Sequence, residues 1–189
     1  HPGESFPDAF VSETELEGFY RLLNNPCVSH TDLLESHVRC TVERAQIAEE
    51  VLALHDTTTA KLAHASVDEV GEVNTGKAGF FAHSTLLLDA KAERCPLGIV
   101  ALSTIHRKPD RARRTNLSGP DCAKLDNKES KRWWEGVLET QRQLNGKARV
   151  IHVMDREGDT YELYAQMLER RYRFVIRADD RTCLFDGEH

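Results

Sequence analysis

Apolar residues recur along this chain with two different periods, and the change between them falls near residue 50. The first dozen residues, with Pro2, Gly3 and Pro7, show neither period and read as an irregular lead. After Ser12 the spacing of Leu16, Phe19, Tyr20 and Leu23 predicts a helix, with Ser12 and Glu15 as its capping pair and NNP at 24–26 as its stop. A second helix is expected from Ser29 or Thr31 to about Glu49, with Leu33, Leu34, Val38, Val42, Ala45 and Ile47 inward. From residue 50 the apolar runs become short and are bounded by Gly, Pro and polar residues, which predicts strands at 51–54, 80–88 and 97–105. A polar stretch at 107–125 reads as a loop. It leads to a helix starting near Asp126, with Asp126 and Glu129 as a capping box, Trp134, Val137, Leu138, Gln141 and Leu144 on one face, and Gly146 as its stop. A buried strand at 150–154, a helix at 160–170 facing inward through Tyr161, Tyr164, Met167 and Leu168, and a strand at 174–176 complete the series.

The order is thus three strands, then helix, strand, helix, strand. The first and second strands are joined by a loop rich in Gly and charge, the short DAKAERCP connection suits an antiparallel second and third, and helical crossovers make the last two parallel to a central strand. This is the element order of an α/β, ribonuclease H-like mixed sheet up to its fifth strand, preceded by N-terminal helices. The organisation expected is a helical segment at 1–49 and a partial ribonuclease H-like core at 50–189.

Composition narrows the class. At 189 residues the chain suits one domain or at most two small ones. Its longest apolar runs, such as LGIVAL at 97–102, are far shorter than the roughly 18 residues of a membrane-spanning helix. The start lacks the basic and apolar regions of a signal peptide, and the only methionines are Met154 and Met167, so the chain reads as an excised or processed piece. Five cysteines without a C-x-x-C pair argue against a disulfide framework or a thiolate zinc site and fit a reducing cytoplasm. Nine histidines include no H-E-x-x-H; His55, His83, His106 and His152 sit in apolar runs, as hydrogen-bonded structural histidines do. The net charge of −6 is concentrated at the start, where residues 1–50 hold ten acids against Arg21, Arg39 and Arg44. Two basic clusters follow, one with Arg107, Lys108, Arg111, Arg113 and Arg114 and one with Arg170, Arg171, Arg173, Arg177 and Arg181. Each reads equally as a phosphate contact or as solvated surface.

Two aspartates carry the candidate chemistry. Asp56 and Asp155 each close an apolar run and open a polar turn, in VLALHDTTT and VIHVMDREGD. If their strands are neighbours, two carboxylates about 5 Å apart repel by roughly 3 kcal/mol at an effective dielectric near 20, which a divalent cation or a shared proton relieves. Carboxylate oxygens without His or Cys suit Mg²⁺ or Mn²⁺ and phosphoryl-transfer chemistry; the plain alternative is that each Asp only ends a strand. Asp159, with Glu162 three residues on, reads as a helix N-cap, and Glu157 as a turn residue or a support for the pair. GEVNTGKA at 71–78 imitates a phosphate-binding loop but lacks the preceding strand, the following helix and the hydroxyl after Lys77, so its glycines read as hairpin formers. No G-x-S-x-G elbow occurs, and Thr58 stands where an aspartyl phosphatase needs a second Asp.

These stretches together resemble the DDE transposases of bacterial cut-and-paste insertion sequences and composite transposons. The similar segments are HDTTT around Asp56, GFFAHSTLLLDA at 79–90, DNKESKRWW at 126–134, VMDREGDTYEL at 153–163 and RFVIR at 173–177, in the family's order. EGFYRLLNNPCVS at 17–29 is similar to the end of the family's N-terminal DNA-binding region, so the resemblance covers roughly residues 15–180. It implies that Asp56 and Asp155 are two members of an Asp, Asp, Glu triad binding Mg²⁺ (or Mn²⁺). Such an enzyme cleaves transposon ends and joins the freed 3′ hydroxyl to target DNA, as a dimeric synaptic complex on double-stranded DNA in the bacterial cytoplasm. It also implies a DNA contact for Arg177, with Arg107, Lys108 and Arg111 as further candidates. In that family the third carboxylate lies beyond the fifth strand, in a Tyr, Arg, Glu, Lys signature. No Tyr followed three residues on by Arg and four more by Glu occurs here, and Glu188 has no helix to place it. The expectation is a catalytic-core fragment that is inactive alone. A non-catalytic DNA-binding or regulatory fragment, and another ribonuclease H-like Mg²⁺-dependent nuclease, are the alternatives.

Overall fold

The computed structural model describes residues 7–74, 76–107 and 131–179. The chain divides into two compact units, residues 1–37 and 38–189. In the first, a 3-10 turn at Pro7–Ala9 precedes helix α1 (Glu13–Leu23), whose N-cap is Ser12 as expected: its hydroxyl accepts from the Glu15 N–H at 3.3 Å. Helix α2 (His30–Ala48) crosses the division, and its later part brings Thr41, Val42 and Ala45 into the core of the second unit. Ile47, expected inward, is 83% exposed.

The second unit is built on a six-stranded mixed sheet. Its strands are β1 (Glu50–Lys61), β2 (Glu72–Asn74), β3 (Lys77–Asp89), β4 (Pro96–Ile105), β5 (Arg149–Met154) and β6 (Arg173–Ile176). β1 lies between β3, antiparallel, and β5, parallel; β6 extends the sheet parallel to β5. β4 and the short β2 share the other edge of β3, both antiparallel. This is the ribonuclease H-like arrangement expected from the element order, with three antiparallel strands followed by two parallel ones. The crossovers are helices α4 (Lys131–Leu144) and α5 (Tyr161–Glu169), and a four-residue helix α3 (Val67–Val70) lies between β1 and β2. The expected helix start near Asp126, and residues 108–125 of the polar stretch, lie outside the described residues.

Three expectations change. β1 does not stop at Leu54: HDTTT continues as strand through Lys61, because β3 supplies a partner for each residue, from Asp56↔Ser84 to Lys61↔Gly79. β-branched threonines suit that extended, half-exposed setting. The buried face of α4 is centred on Trp133, Gly136, Val137, Thr140 and Leu144 rather than on Trp134, Leu138 and Gln141. That of α5 is Leu163 and Met167, while Tyr161 is 82% and Leu168 65% exposed. Val137 and Leu144 of α4 and Met167 of α5 are buried as expected, while the rest of each stripe lies on neighbouring positions.

The glycine segment behaves as a hairpin. β2 pairs antiparallel with the start of β3, the Gly76 N–H donates to Glu72 Oε1, and Lys77 is exposed.

Alternation along the strands sorts the two sheet faces. Val51, Ala53, His55, His83, Thr85, Leu87, Val150, His152 and Met154 are buried, and they meet α2, α4 and α5 through two apolar clusters. Leu52, Leu54, Leu86, Leu88, Ile151 and Val153 alternate with them and are only half-buried.

Candidate active site

The β1–β5 ladder runs in parallel to Leu54↔Val153, and the β5–β6 ladder through Val153↔Val175 to Met154↔Ile176. Two residues beyond Leu54, Val153 and Val175 stand Asp56, Asp155 and Arg177, all exposed. Residues paired across a ladder share a face, and side chains alternate with a period of two, so these three belong to the half-buried face, away from α4. Strand spacing of about 4.8 Å sets the backbone scale between neighbours. The Arg177 N–H donates to the Met154 carbonyl at 3.1 Å, which carries the β5–β6 pairing one step further toward Asp155.

Each aspartate has one oxygen oriented by a nearby backbone N–H. Asp56 Oδ1 accepts from Thr57 at 2.8 Å, and Asp155 Oδ1 accepts from Glu157 at 2.9 Å as it caps the 3-10 turn Arg156–Gly158. Among the described residues no further hydrogen bond to either carboxylate is present, which leaves oxygen acceptors facing solvent. Asp56 lies within β1 rather than at its end, yet it projects beyond the part of β1 that β5 covers.

An oxygen-only pair of this kind fits a hard divalent cation such as Mg²⁺ or Mn²⁺, which keeps several waters and needs only one or two protein carboxylates. Among the described residues no group of three or more His, Cys, Asp or Glu forms a ligand set. Asp159 does not join the pair: it is 5% exposed and accepts from the Asp179 N–H at 2.7 Å. The N-cap of α5 is Thr160, whose hydroxyl accepts from Leu163, so the capping role expected of Asp159 belongs to its neighbour.

Beneath the aspartates, on the helix-covered face, three histidines are buried, and two of them belong to one hydrogen-bonded series. His55 Nε2 lies 2.8 Å from His152 Nδ1, His55 Nδ1 lies 2.9 Å from Thr85 Oγ1, and Gln141 Nε2 lies 3.0 Å from His152 Nε2. One proton per ring satisfies the whole series, with Gln141 donating to His152, His152 to His55 and His55 to Thr85. His83 Nδ1 pairs with Thr57 Oγ1 at 2.9 Å, while its Nε2 is buried with no hydrogen-bond partner among the described residues. Burial is the first cause that lowers all three titrations: His83 and His152 fall to about 4 and His55 well below the usual imidazole range. Neighbouring His152 and His83 depress His55 further; at His83, Arg132 adds to the lowering and Asp56 opposes it. The structural role read for these histidines is what the core contains. His106, read likewise, is exposed and bonds through Nδ1 to the Val70 carbonyl at 2.9 Å.

Arg132, at the start of α4, was not singled out from the sequence. Its Nε donates to Thr57 Oγ1 at 3.0 Å, and its terminal nitrogen donates to Glu157 Oε2 at 2.7 Å. The available signal was positional: Thr57 follows Asp56 by one residue, and Glu157 follows Asp155 by two.

Of the expected DNA-contacting residues, Arg177 joins the aspartate row. Arg107 does not: it stands five residues beyond Leu102, the β4 residue level with Asp56 through Ser84. Its guanidinium lies 4.3 Å from the Phe81 ring centroid. Lys108 and Arg111 lie outside the described residues. No helix among the described residues is long and apolar enough to cross a membrane.

No family model matches this chain. Among solved structures, it is similar to one described as the crystal structure of the Mos1 strand transfer complex, at 13% identity and a TM-score of 0.33. The likeness covers 89% of this chain and 50% of that one, so this chain spans half the length of the structure it matches.

Proposed function

We propose that this chain is a portion of a DDE transposase of the bacterial cut-and-paste type. In this reading its ribonuclease H-like core holds Mg²⁺ or Mn²⁺ between Asp56 and Asp155 and acts on double-stranded DNA in the cytoplasm, within a dimeric synaptic complex. The observation that carries it is the register of three parallel strands, which aligns Asp56, Asp155 and Arg177 on one exposed face. The DREGD, HDTTT and RFVIR stretches support it as sequence.

Asp56 and Asp155 would hold the metal, with one oxygen of each already oriented by a backbone N–H. When bound, it would supply activation of a water or hydroxyl and charge neutralisation at the leaving oxygen of a phosphodiester. Arg177, level with Asp155, meets a phosphate of the DNA strand presented to the pair.

Calorimetric titration of Mn²⁺ tests the site. The wild-type chain is expected to show saturable binding, and Asp56→Asn or Asp155→Asn to weaken it at least about tenfold, as loss of a charged ligand should. Both positions are exposed, so folding should be unaffected. Binding that survives both substitutions unchanged would refute the assignment. With two of three carboxylates present, residues 1–189 alone are expected to show no cleavage of transposon-end DNA with either metal; measurable strand cutting would overturn that expectation.

Arg177→Ala should weaken duplex DNA binding and reduce the slope of log affinity against log salt by about 0.9, the value for one phosphate contact. An unchanged slope would remove Arg177 from the interface.

A further inference from the structure

Backbone hydrogen bonding between β1 and β5 ends at Leu54↔Val153, two residues short of both aspartates. Two carboxylates that must meet one cation therefore project from a stretch of β1 that β3 still pairs and from the turn after β5, with no β1–β5 ladder between them at that level. Repulsion between them favours their separation until a metal arrives. Some other group has to hold the gap.

We infer that Arg132 is a positioning residue, whose forked guanidinium ties β1 at Thr57 to the turn after β5 and so sets the separation of the Asp56 and Asp155 carboxylates. This rests on the metal-binding reading of the pair. The geometry is reciprocal. Thr57 donates its N–H to Asp56 and accepts from Arg132 at its hydroxyl oxygen. Glu157 donates its N–H to Asp155 and accepts from Arg132 at its carboxylate. Each aspartate is thus oriented by the very residue that the arginine holds, and Thr57 is secured a second time by His83 at 2.9 Å.

Arg132 acts from the opposite side of the sheet. Alternation places the Thr57 side chain on the helix-covered face and Asp56 on the other, so the guanidinium reaches β1 without sitting in the space a cation would take. Its side chain is 14% exposed, whereas Glu157 is 60% exposed. The pairing with Glu157 also balances its charge locally, so the arginine orders the site without replacing the metal as counter-ion. The planar fork sets donors on separate nitrogens in fixed directions toward two acceptors on different elements; a lysine's three donors all radiate from one nitrogen on a flexible stem.

The test is Mn²⁺ affinity, measured beside thermal melting, for Arg132→Met, Arg132→Lys, Glu157→Gln and the double variant Arg132→Met/Glu157→Gln. Loss of an outer-sphere support typically costs 10- to 100-fold in metal affinity, so Arg132→Met and Glu157→Gln should each weaken Mn²⁺ binding by about tenfold or more. The double variant should be no weaker than the worse single one, because both remove the same tie. Arg132→Lys should recover little. Glu157 is exposed, so its variant should melt as the wild type does, and it remains informative even if Arg132→Met folds poorly.

Wild-type Mn²⁺ affinity retained in Glu157→Gln, additive losses in the double variant, or full recovery with lysine would each overturn the positioning role while leaving the metal site standing. Absence of Mn²⁺ binding in the wild type would instead remove the metal reading, and the positioning role with it.

Discussion

Thermal melts of this protein are expected to be flat above about pH 7 and to fall steeply below pH 6, by about 10–20 °C at pH 4.5. The cause is the chain of buried histidines. In the unfolded chain an imidazole takes up a proton near pH 6.5, whereas His83 and His152 in the fold do so only at about 4. As pH falls through that window the unfolded state binds more protons than the folded one, so stability is complete above it and is lost progressively down to about pH 4. At pH 4.5 the loss is roughly 2 to 3 kcal/mol for each of these two rings, a large share of a typical domain's stability. His55, depressed further, adds to it. Geometry points the same way: a second proton on His55 would set donor against donor within its 2.8 Å contact with His152, and one on His152 would face the Gln141 amide nitrogen at 3.0 Å. Circular dichroism melts across pH 4.5–8 decide the matter; a melting temperature that does not move between pH 7 and 4.5 would show that the rings are not held neutral.

Gly136→Leu is expected to destabilise the fold by about 3 kcal/mol or more, through overpacking where α4 crosses the sheet. A Cβ built at Gly136 would lie 3.0 Å from His83 Nε2 and 3.1 Å from His55 Nδ1, so even alanine presses on two histidines that are themselves fixed by hydrogen bonds. Glycine in a helix interior ordinarily costs about 1 kcal/mol relative to alanine, and that gain would offset part of the pressure in Gly136→Ala. Leucine gains the same propensity but adds a branched side chain where there is no room. Urea denaturation should therefore rank wild type, then alanine, then leucine in falling stability. A leucine variant as stable as the wild type would mean that α4 can lift from the strands at little cost.

Some of this was legible in the sequence because it is encoded locally. The strands announce themselves as short apolar runs, the helices as spaced apolar residues with caps, and the failed phosphate loop by the residue types around Lys77. Asp56 and Asp155 stood out since each ends such a run. The length of β1 was not legible: threonines after Asp56 look like a turn until β3 is present to accept their hydrogen bonds. The helix faces turn out rotated by about one residue from the sequence reading. Tyr161 and Trp134 were read as inward, but the buried stripes run through Leu163 and Met167 and through Trp133 and Gly136, since the sheet, not the helix, decides which side is covered.

By itself, then, the sequence determined the order and type of the longer elements, though not α3 or the short β2, the ribonuclease H-like class of sheet, and which two carboxylates to follow, because periodicity and strand ends are properties of neighbouring residues. Tertiary structure alone decided the register that sets Asp56, Asp155 and Arg177 in one row. It alone joined His55, His83 and His152 in one buried layer, and brought Arg132 from a distant helix to Thr57 and Glu157. Those pairings link distant residues, 99 positions apart for Leu54 and Val153 and 97 for His55 and His152, and no local pattern can specify which distant partner a donor will find.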